Sequence, residues 1–425
     1  MERLYPALAL AGFLVLALGL LSRSIRGGML SEPIVATGFG VLVGPQVLGW
    51  LEPASWGPVE TVMTTATRLT LAIALMGVAL RIGHAQLRAI WRPVSLLLTA
   101  GMLAMWAASS ALAAWWLGVG LWTALLLGAV VTPTDPVVSS AIVTGRLARQ
   151  KLPGRLRGSL SLESGANDGL AFLLVMLPLS VLVHSGGIGA ARAWLVDGLL
   201  VGVLLAVAMG AALGYGAAVL LELAKGRGLV ERHSVLSYTV ALSLTTLGAA
   251  RLCGADALIA VFAAGLVFNI VSNSSQQQEE ENIQEAVSKL FMPPVFVLFG
   301  AVLPWEAWQA TGWPLLGLAL AVLALRRPLA LLVCAPWLRR WYPPRELAFL
   351  GWFGPVGVAA LFYAAHIWER TGDPFVFHAA SAVILASIIA HGATAAPLTH
   401  LFARHRRRER QHGEQGGTRR EAEVG

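Results

Sequence analysis

The chain has 425 residues, 56% of them hydrophobic and 13% charged, with 45 glycines and a mean hydropathy of +0.69, which is too apolar for a soluble globular domain. Its formal charge of +8 gives no case for a nucleic-acid partner: only three lysines occur, and seven arginines gather in the last 25 residues, where a basic tail beside anionic lipid accounts for them. Composition therefore predicts an all-α polytopic membrane protein held in a lipid bilayer, and the two cysteines, Cys253 and Cys334, provide no disulfide framework.

Crossing the hydrocarbon core takes about 20 apolar residues. Thirteen such runs follow one another, at roughly 4–21, 31–50, 61–80, 94–117, 120–144, 159–184, 193–221, 233–250, 255–272, 289–304, 313–338, 346–366 and 375–400. They are numbered spans 1 to 13 here. Span 1 has Arg3 on its flank and no small-residue cleavage site, so it reads as a retained helix and not as a signal peptide. Span 3 carries Arg68 near one end, where the long side chain can reach the interface. Span 5 contains "TPTDP", with Pro133 and Pro136 flanking Thr134 and Asp135 and Thr132 just before them. Span 6 contains "SLESGANDGLAF". Span 11 contains "ALRRPLALLV", with Arg326 and Arg327 inside an apolar run, and span 12 contains "GWFGPVGVAALFY". Residues 403–425 form a basic tail that composition predicts to be disordered.

Lys and Arg in the connections set the orientation. Connections after odd-numbered spans hold 17, whereas the other side holds four, Arg3, Arg192, Arg251 and Arg370. The amino end is expected outside and the carboxyl end in the cytoplasm. The acidic ninth connection departs from this pattern, though its second half is patterned as a short amphipathic surface helix.

Spans 5 and 12 are both interrupted by proline and small residues, which is tolerable at membrane depth only where protein or a hydrated cavity satisfies the freed backbone groups. They lie seven spans apart, an odd number. A repeat relating spans 1–6 to spans 8–13 is therefore inverted across the membrane, and paired interruptions in such a repeat mark the midplane site of a secondary transporter.

The acids at depth are Asp135, Glu163 and Asp168; Asp197, Asp256 and Glu346 fall near span ends. An intramembrane carboxylate normally faces an interior cavity and has a partner. Ser164 and Asp168 are four residues apart and share one helical face, while Glu163 and Asn167 share the next. A hydroxyl, a carboxylate and freed carbonyls beside Thr132, Thr134 and Asp135 suit a hard cation. Because an arginine cannot discard its charge, at least one of Arg326 and Arg327 is expected to seek a carboxylate, with Glu163 the candidate. Histidine ordinarily titrates near neutral pH, which draws attention to His366 and His391, but a lone intramembrane histidine is more often a hydrogen-bonded packing residue, and neither receives a proton-carrying role.

On these residues the sequence resembles the monovalent cation:proton antiporter superfamily, specifically sodium/proton exchangers with an Asn-Asp pair. The motifs are "GFGVLVGPQVLGW", "VVTPTDPVVSSAIV", "SLSLESGANDGLAF", "LRRPLALLV", "GWFGPVGVAALFYAAH" and "IIAHGATAAPLTHLF", which cover about 4 to 402 in order. The resemblance implies a homodimer whose dimerisation and core bundles are interleaved in sequence, the core holding two crossed, unwound helices. It implies that Asp168 is the cation and proton carboxylate, Asn167 its partner, and Ser164, Thr134 and Asp135 further ligands or supports. Glu163 then resembles the structural acid that pairs with Arg327. Two departures stand out: span 3 has Gly77 and Val78 where many such exchangers carry an acid, and "FGPVG" lacks an arginine often present there.

The expected function is exchange of monovalent cations, sodium with lithium or potassium as options, for protons, electroneutral at one for one. Competition at Asp168 would couple the fluxes and give a bell-shaped pH profile. A potassium/proton antiporter of the same fold is the alternative. Two other classes fit less well. A cation channel would need an open path, and an intramembrane serine hydrolase built on Ser164 lacks a GxSxG elbow. No GxxxxGK[ST] occurs, so neither nucleotide nor cofactor is expected.

Overall fold

A computed structural model describes residues 4–27, 30–136, 138–143, 145–184, 186–230, 234–272 and 277–424. Among them every regular element is a helix. Six helices are long and apolar enough to cross a membrane, Val59–Leu80, His84–Leu117, Gly154–His184, Gly187–Gly226, Trp313–Leu338 and Phe375–Arg404, and Leu290–Ala301 with Trp305–Thr311 forms a pair bent by 56°. Shorter apolar helices, including Glu32–Val43, Leu121–Val130 and Ala257–Val271, fill the remaining runs.

The interruptions fall where proline removes the ladder donor and bars its predecessor from helical geometry. Span 5 stops as a helix at Leu121–Val130 and resumes at Ser140–Val143; span 12 stops at Pro344–Trp352 and resumes at Val358–Thr371. Elsewhere proline opens helices, at Pro33 and Pro314, and Asp256 caps span 9 by accepting the Ile259 N–H at 2.9 Å. The acidic ninth connection runs straight into span 10 as one helix, Gln277–Ala301, in place of a separate surface helix. The last helix, Phe375–Val424, carries the backbone of the basic tail with it, through a stretch of arginine, glutamate and glutamine, which are good helix formers.

Packing sorts the helices into two groups. Spans 4, 5, 6, 11, 12 and 13 contact one another, and so do spans 1, 2, 3, 8, 9 and 10, with span 7 lying along span 9. Exchanging each span with the one seven places on reproduces the neighbours: span 2 packs on span 10 and span 9 on span 3, span 5 on span 6 and span 12 on span 13, and span 4 on span 11. That pairing is what an inverted repeat requires. Gly210 and Gly214 of span 7 let its backbone touch the Ala260 and Ala264 carbonyls, the small-residue contact typical of membrane helices. Between the two groups, span 3 lies on spans 12 and 6, and span 9 on span 6. The site described next faces that seam.

Candidate cation and proton site

The two interrupted spans cross at their breaks. The Asp135 N–H donates to the Pro355 carbonyl at 2.8 Å, joining one unwound segment to the other. Four half-helix ends meet here, two presenting bare N–H groups and two presenting bare carbonyls. Asp135 serves the first kind. Its carboxylate accepts the Val138 N–H at 3.1 Å and the Val358 N–H, and Val358 begins the second half of span 12. Gly357 is required for this, since a Cβ there would run into the Asp135 carboxylate.

Arg326 serves the second kind. Its guanidinium donates to the carbonyls of Val131, Thr132 (3.1 Å) and Pro133 (3.3 Å) at the end of one half-helix, and to that of Gly354 at the end of the other. Both Asp135 and Arg326 are buried. A negative group thus sits at two helix N-termini and a positive group at two C-termini, the arrangement that opposes each half-helix dipole. Three of the carbonyls at the span 5 break, those of Val131, Thr132 and Pro133, thus accept from Arg326.

Arg327 turns the other way and makes a two-point pair with Glu163, Nη1 to Oε1 at 2.7 Å and Nη2 to Oε2 at 2.6 Å, while its Nε donates to the Leu350 carbonyl at 2.6 Å. The pair ties spans 6, 11 and 12 together inside the bundle.

Span 6 brings its remaining polar residues to the break. Asn167 holds Thr134 at two points: its Oδ1 accepts the Thr134 N–H at 3.1 Å, and its Nδ2 donates to the Thr134 hydroxyl at 2.8 Å. That hydroxyl lies 3.0 Å from the Ser164 hydroxyl. Thr132 is placed differently, its hydroxyl donating back to the Gly128 carbonyl at 2.7 Å, so Thr134 and not Thr132 joins the span 6 face.

Asp168 stands apart from all of these. It is fully buried, and neither carboxylate oxygen has a hydrogen-bond partner among the described residues. Leaving an ionised carboxylate in that condition costs several kcal/mol, roughly the scale of an unpaired buried charge. Apolar side chains line the part of the seam against Gly165 and Gly169. A Cβ at Gly165 would strike Phe262 and Val78, and one at Gly169 would strike Ile259, so side chains of spans 3 and 9 lie directly on the span 6 backbone on either side of Asp168. Val78 therefore supplies a methyl surface to this wall and no oxygen.

Sequence reasoning missed Tyr363 and Ser387, and read His391 only as a hydrogen-bonded packing residue. Tyr363 donates its hydroxyl to the Asp168 backbone carbonyl at 2.6 Å. Ser387 accepts the Val356 N–H at 2.7 Å, and His391 bridges Ser387 and the Trp352 carbonyl at 3.0 Å, so span 13 secures the second break. The signals were a single phenol and a serine-histidine pair one turn apart within apolar runs. His366 lies 3.4 Å from Glu369 and stacks on Phe362, over which Arg68 also places its guanidinium at 5.2 Å.

Comparison with known proteins gives one consistent answer. A family model described as sodium/hydrogen exchanger, transmembrane, matches residues 11–401. The Na(+)/H(+) antiporter 2 of Zygosaccharomyces rouxii is 34% identical over 343 residues, 79% of this chain and 42% of that protein, so the chain spans less than half of its relative's length. The K(+)/H(+) antiporter NhaP of Alkalimonas amylolytica is 25% identical over 84% of this chain and 60% of its own. In fold, the chain matches the sodium proton antiporter MjNhaP1 of Methanocaldococcus jannaschii at pH 8 with a TM-score of 0.73 and 19% identity, over 93% of this chain and 98% of that one.

Proposed function

This chain belongs to the transmembrane sodium/hydrogen exchanger family, and from that membership we propose that it exchanges sodium for protons, one for one, by alternating access at Asp168. The observation that carries the reading is the bare, fully buried Asp168 carboxylate beside neighbours that are already engaged. Such a group crosses the membrane interior at low cost only when a proton or a cation neutralises it. The empty ionised form is held back, and the two fluxes are coupled. Asn167 is neutral and Glu163 is balanced by Arg327, so the passenger at Asp168 has one negative charge to neutralise, which supports electroneutral exchange.

The remaining residues follow from their bonds. Ser164 and Thr134 offer hydroxyl lone pairs to the cation one turn before Asp168, and Asn167 clamps the span 5 break so that these oxygens stay in place. Asp135, with Arg326, holds both breaks open and contributes negative charge nearby. The apolar wall of Val78, Ile259 and Phe262 keeps water from the carboxylate on the side of the seam. Movement of spans 4–6 and 11–13 against the other group would then expose Asp168 alternately to each side. The Lys and Arg asymmetry supports a cell-membrane location with the carboxyl end in the cytoplasm, and family likeness supports a homodimer. Potassium is the second cation to test, because a K(+)/H(+) antiporter is among the relatives.

The test is cation-induced dequenching of a pH dye in vesicles, with sodium, lithium and potassium, for the parent and Asp168→Asn. Sodium should move protons through the parent and none through the variant. Equal exchange by Asp168→Asn would overturn the site, and sodium entry that follows voltage without proton counter-movement would make the protein a channel.

A further inference from the structure

Tyr363, on the second half of span 12, is fully buried and packs beside Phe362 with ring centroids 5.0 Å apart. Phenylalanine would fill the same volume without bringing a hydroxyl into an apolar interior, where an unmatched one costs free energy. The hydroxyl here is matched by the backbone of the helix that carries Asp168. It donates to the Asp168 carbonyl at 2.6 Å and lies 3.5 Å from the Gly169 carbonyl. In an α-helix the carbonyl of residue 168 also faces the N–H of residue 172, and the helix runs unbroken from Gly154 to His184. A side chain of span 12 therefore adds a donor to the backbone of span 6 at the residue whose carboxylate is bare. Because the phenol belongs to span 12, it also fastens that span to the backbone beneath the carboxylate.

We infer that Tyr363 is a positioning residue for Asp168: its hydroxyl, bonded to the Asp168 carbonyl, fixes the backbone at residue 168 and with it the direction in which the carboxylate meets the cation. The inference rests on the exchange reading above. It predicts that removing the hydroxyl alone releases the backbone at residue 168, turns the carboxylate, and weakens cation binding without blocking the conformational cycle.

The experiment is Tyr363→Phe, which keeps the ring, reconstituted in vesicles and measured as apparent KM for sodium and Vmax per amount of folded protein. The sodium concentration that half-maximally raises the thermal midpoint in detergent reads binding without transport. Losing one short hydrogen bond is expected to raise both the KM and that half-saturation concentration about tenfold, with Vmax within about twofold of the parent. A purely structural role would lower the melting midpoint or the yield and leave both concentrations unchanged, and that result overturns the inference. If the parent itself exchanges nothing, it is the exchange reading that fails; if the parent exchanges and Tyr363→Phe matches its KM, only the assignment of Tyr363 fails.

Discussion

Replacing Glu163 by glutamine removes one charge from the Glu163–Arg327 pair at nearly constant shape. Both side chains are almost fully enclosed, at 1% and 3% exposure, so water cannot take over the guanidinium. Breaking a buried pair by removing one partner costs about 3–5 kcal/mol, because the other charge is left uncompensated. The new amide would keep one acceptor for Arg327, and the Leu350 carbonyl would still hold its Nε, which places the loss near the lower end, about 3 kcal/mol. For a chain of 425 residues that corresponds to a fall of about 3 °C in the thermal midpoint. The assay is a tryptophan-fluorescence melt of monodisperse protein in detergent at fixed salt and pH. The double variant Glu163→Gln with Arg327→Gln discards the stranded charge and should regain most of the loss. A single variant melting with the parent, or a double variant no more stable than the two losses added, would refute the reasoning.

Asp135→Asn keeps an acceptor but removes the charge that faces two helix N-termini; a loss of about 1–2 kcal/mol is expected, read as a lower melting midpoint. A midpoint equal to the parent's would show that the half-helix ends do not rely on that carboxylate. Cys253 is exposed and Cys334 buried, so an impermeant maleimide added to intact cells should label Cys253 if the even-numbered connections face outside. Labelling only after the membrane is opened would reverse the orientation.

The sequence carried the fold because bilayer thickness imposes its own length on every apolar run, and because proline in "TPTDP" and "FGPVG" leaves few ways to continue a helix. The grouping on span 6 was partly legible for the same local reason: residues four apart share a face, so Ser164 lay with Asp168 and Glu163 with Asn167, but in the fold Ser164 and Asn167 meet at Thr134 while the Asp168 carboxylate stays bare. What spacing could not supply was the direction of long or shared side chains. Arg326 and Arg327 are adjacent, yet one turns to four backbone carbonyls and the other to Glu163, a choice made by which bare groups lie within reach. The sequence shows that the prolines free carbonyls beside Thr132, Thr134 and Asp135 but not what meets them; in the fold the Arg326 guanidinium donates to those of Val131, Thr132 and Pro133. Tyr363 was invisible because its partner is backbone, and a backbone carbonyl inside a helix gives no sign in the sequence that a side chain of another span donates to it.

The central claim is that a proton and a cation compete for Asp168. Calorimetric titration of sodium into purified protein, in two buffers of unlike ionisation enthalpy, counts the protons released per cation bound. At acidic pH the carboxyl is protonated before sodium arrives, so close to one proton should leave per sodium, and apparent affinity should rise up to about tenfold for each pH unit gained. At alkaline pH the release should fall to zero and the affinity level off. Sodium binding that releases no proton at any pH, with an affinity that stays constant, would contradict the account.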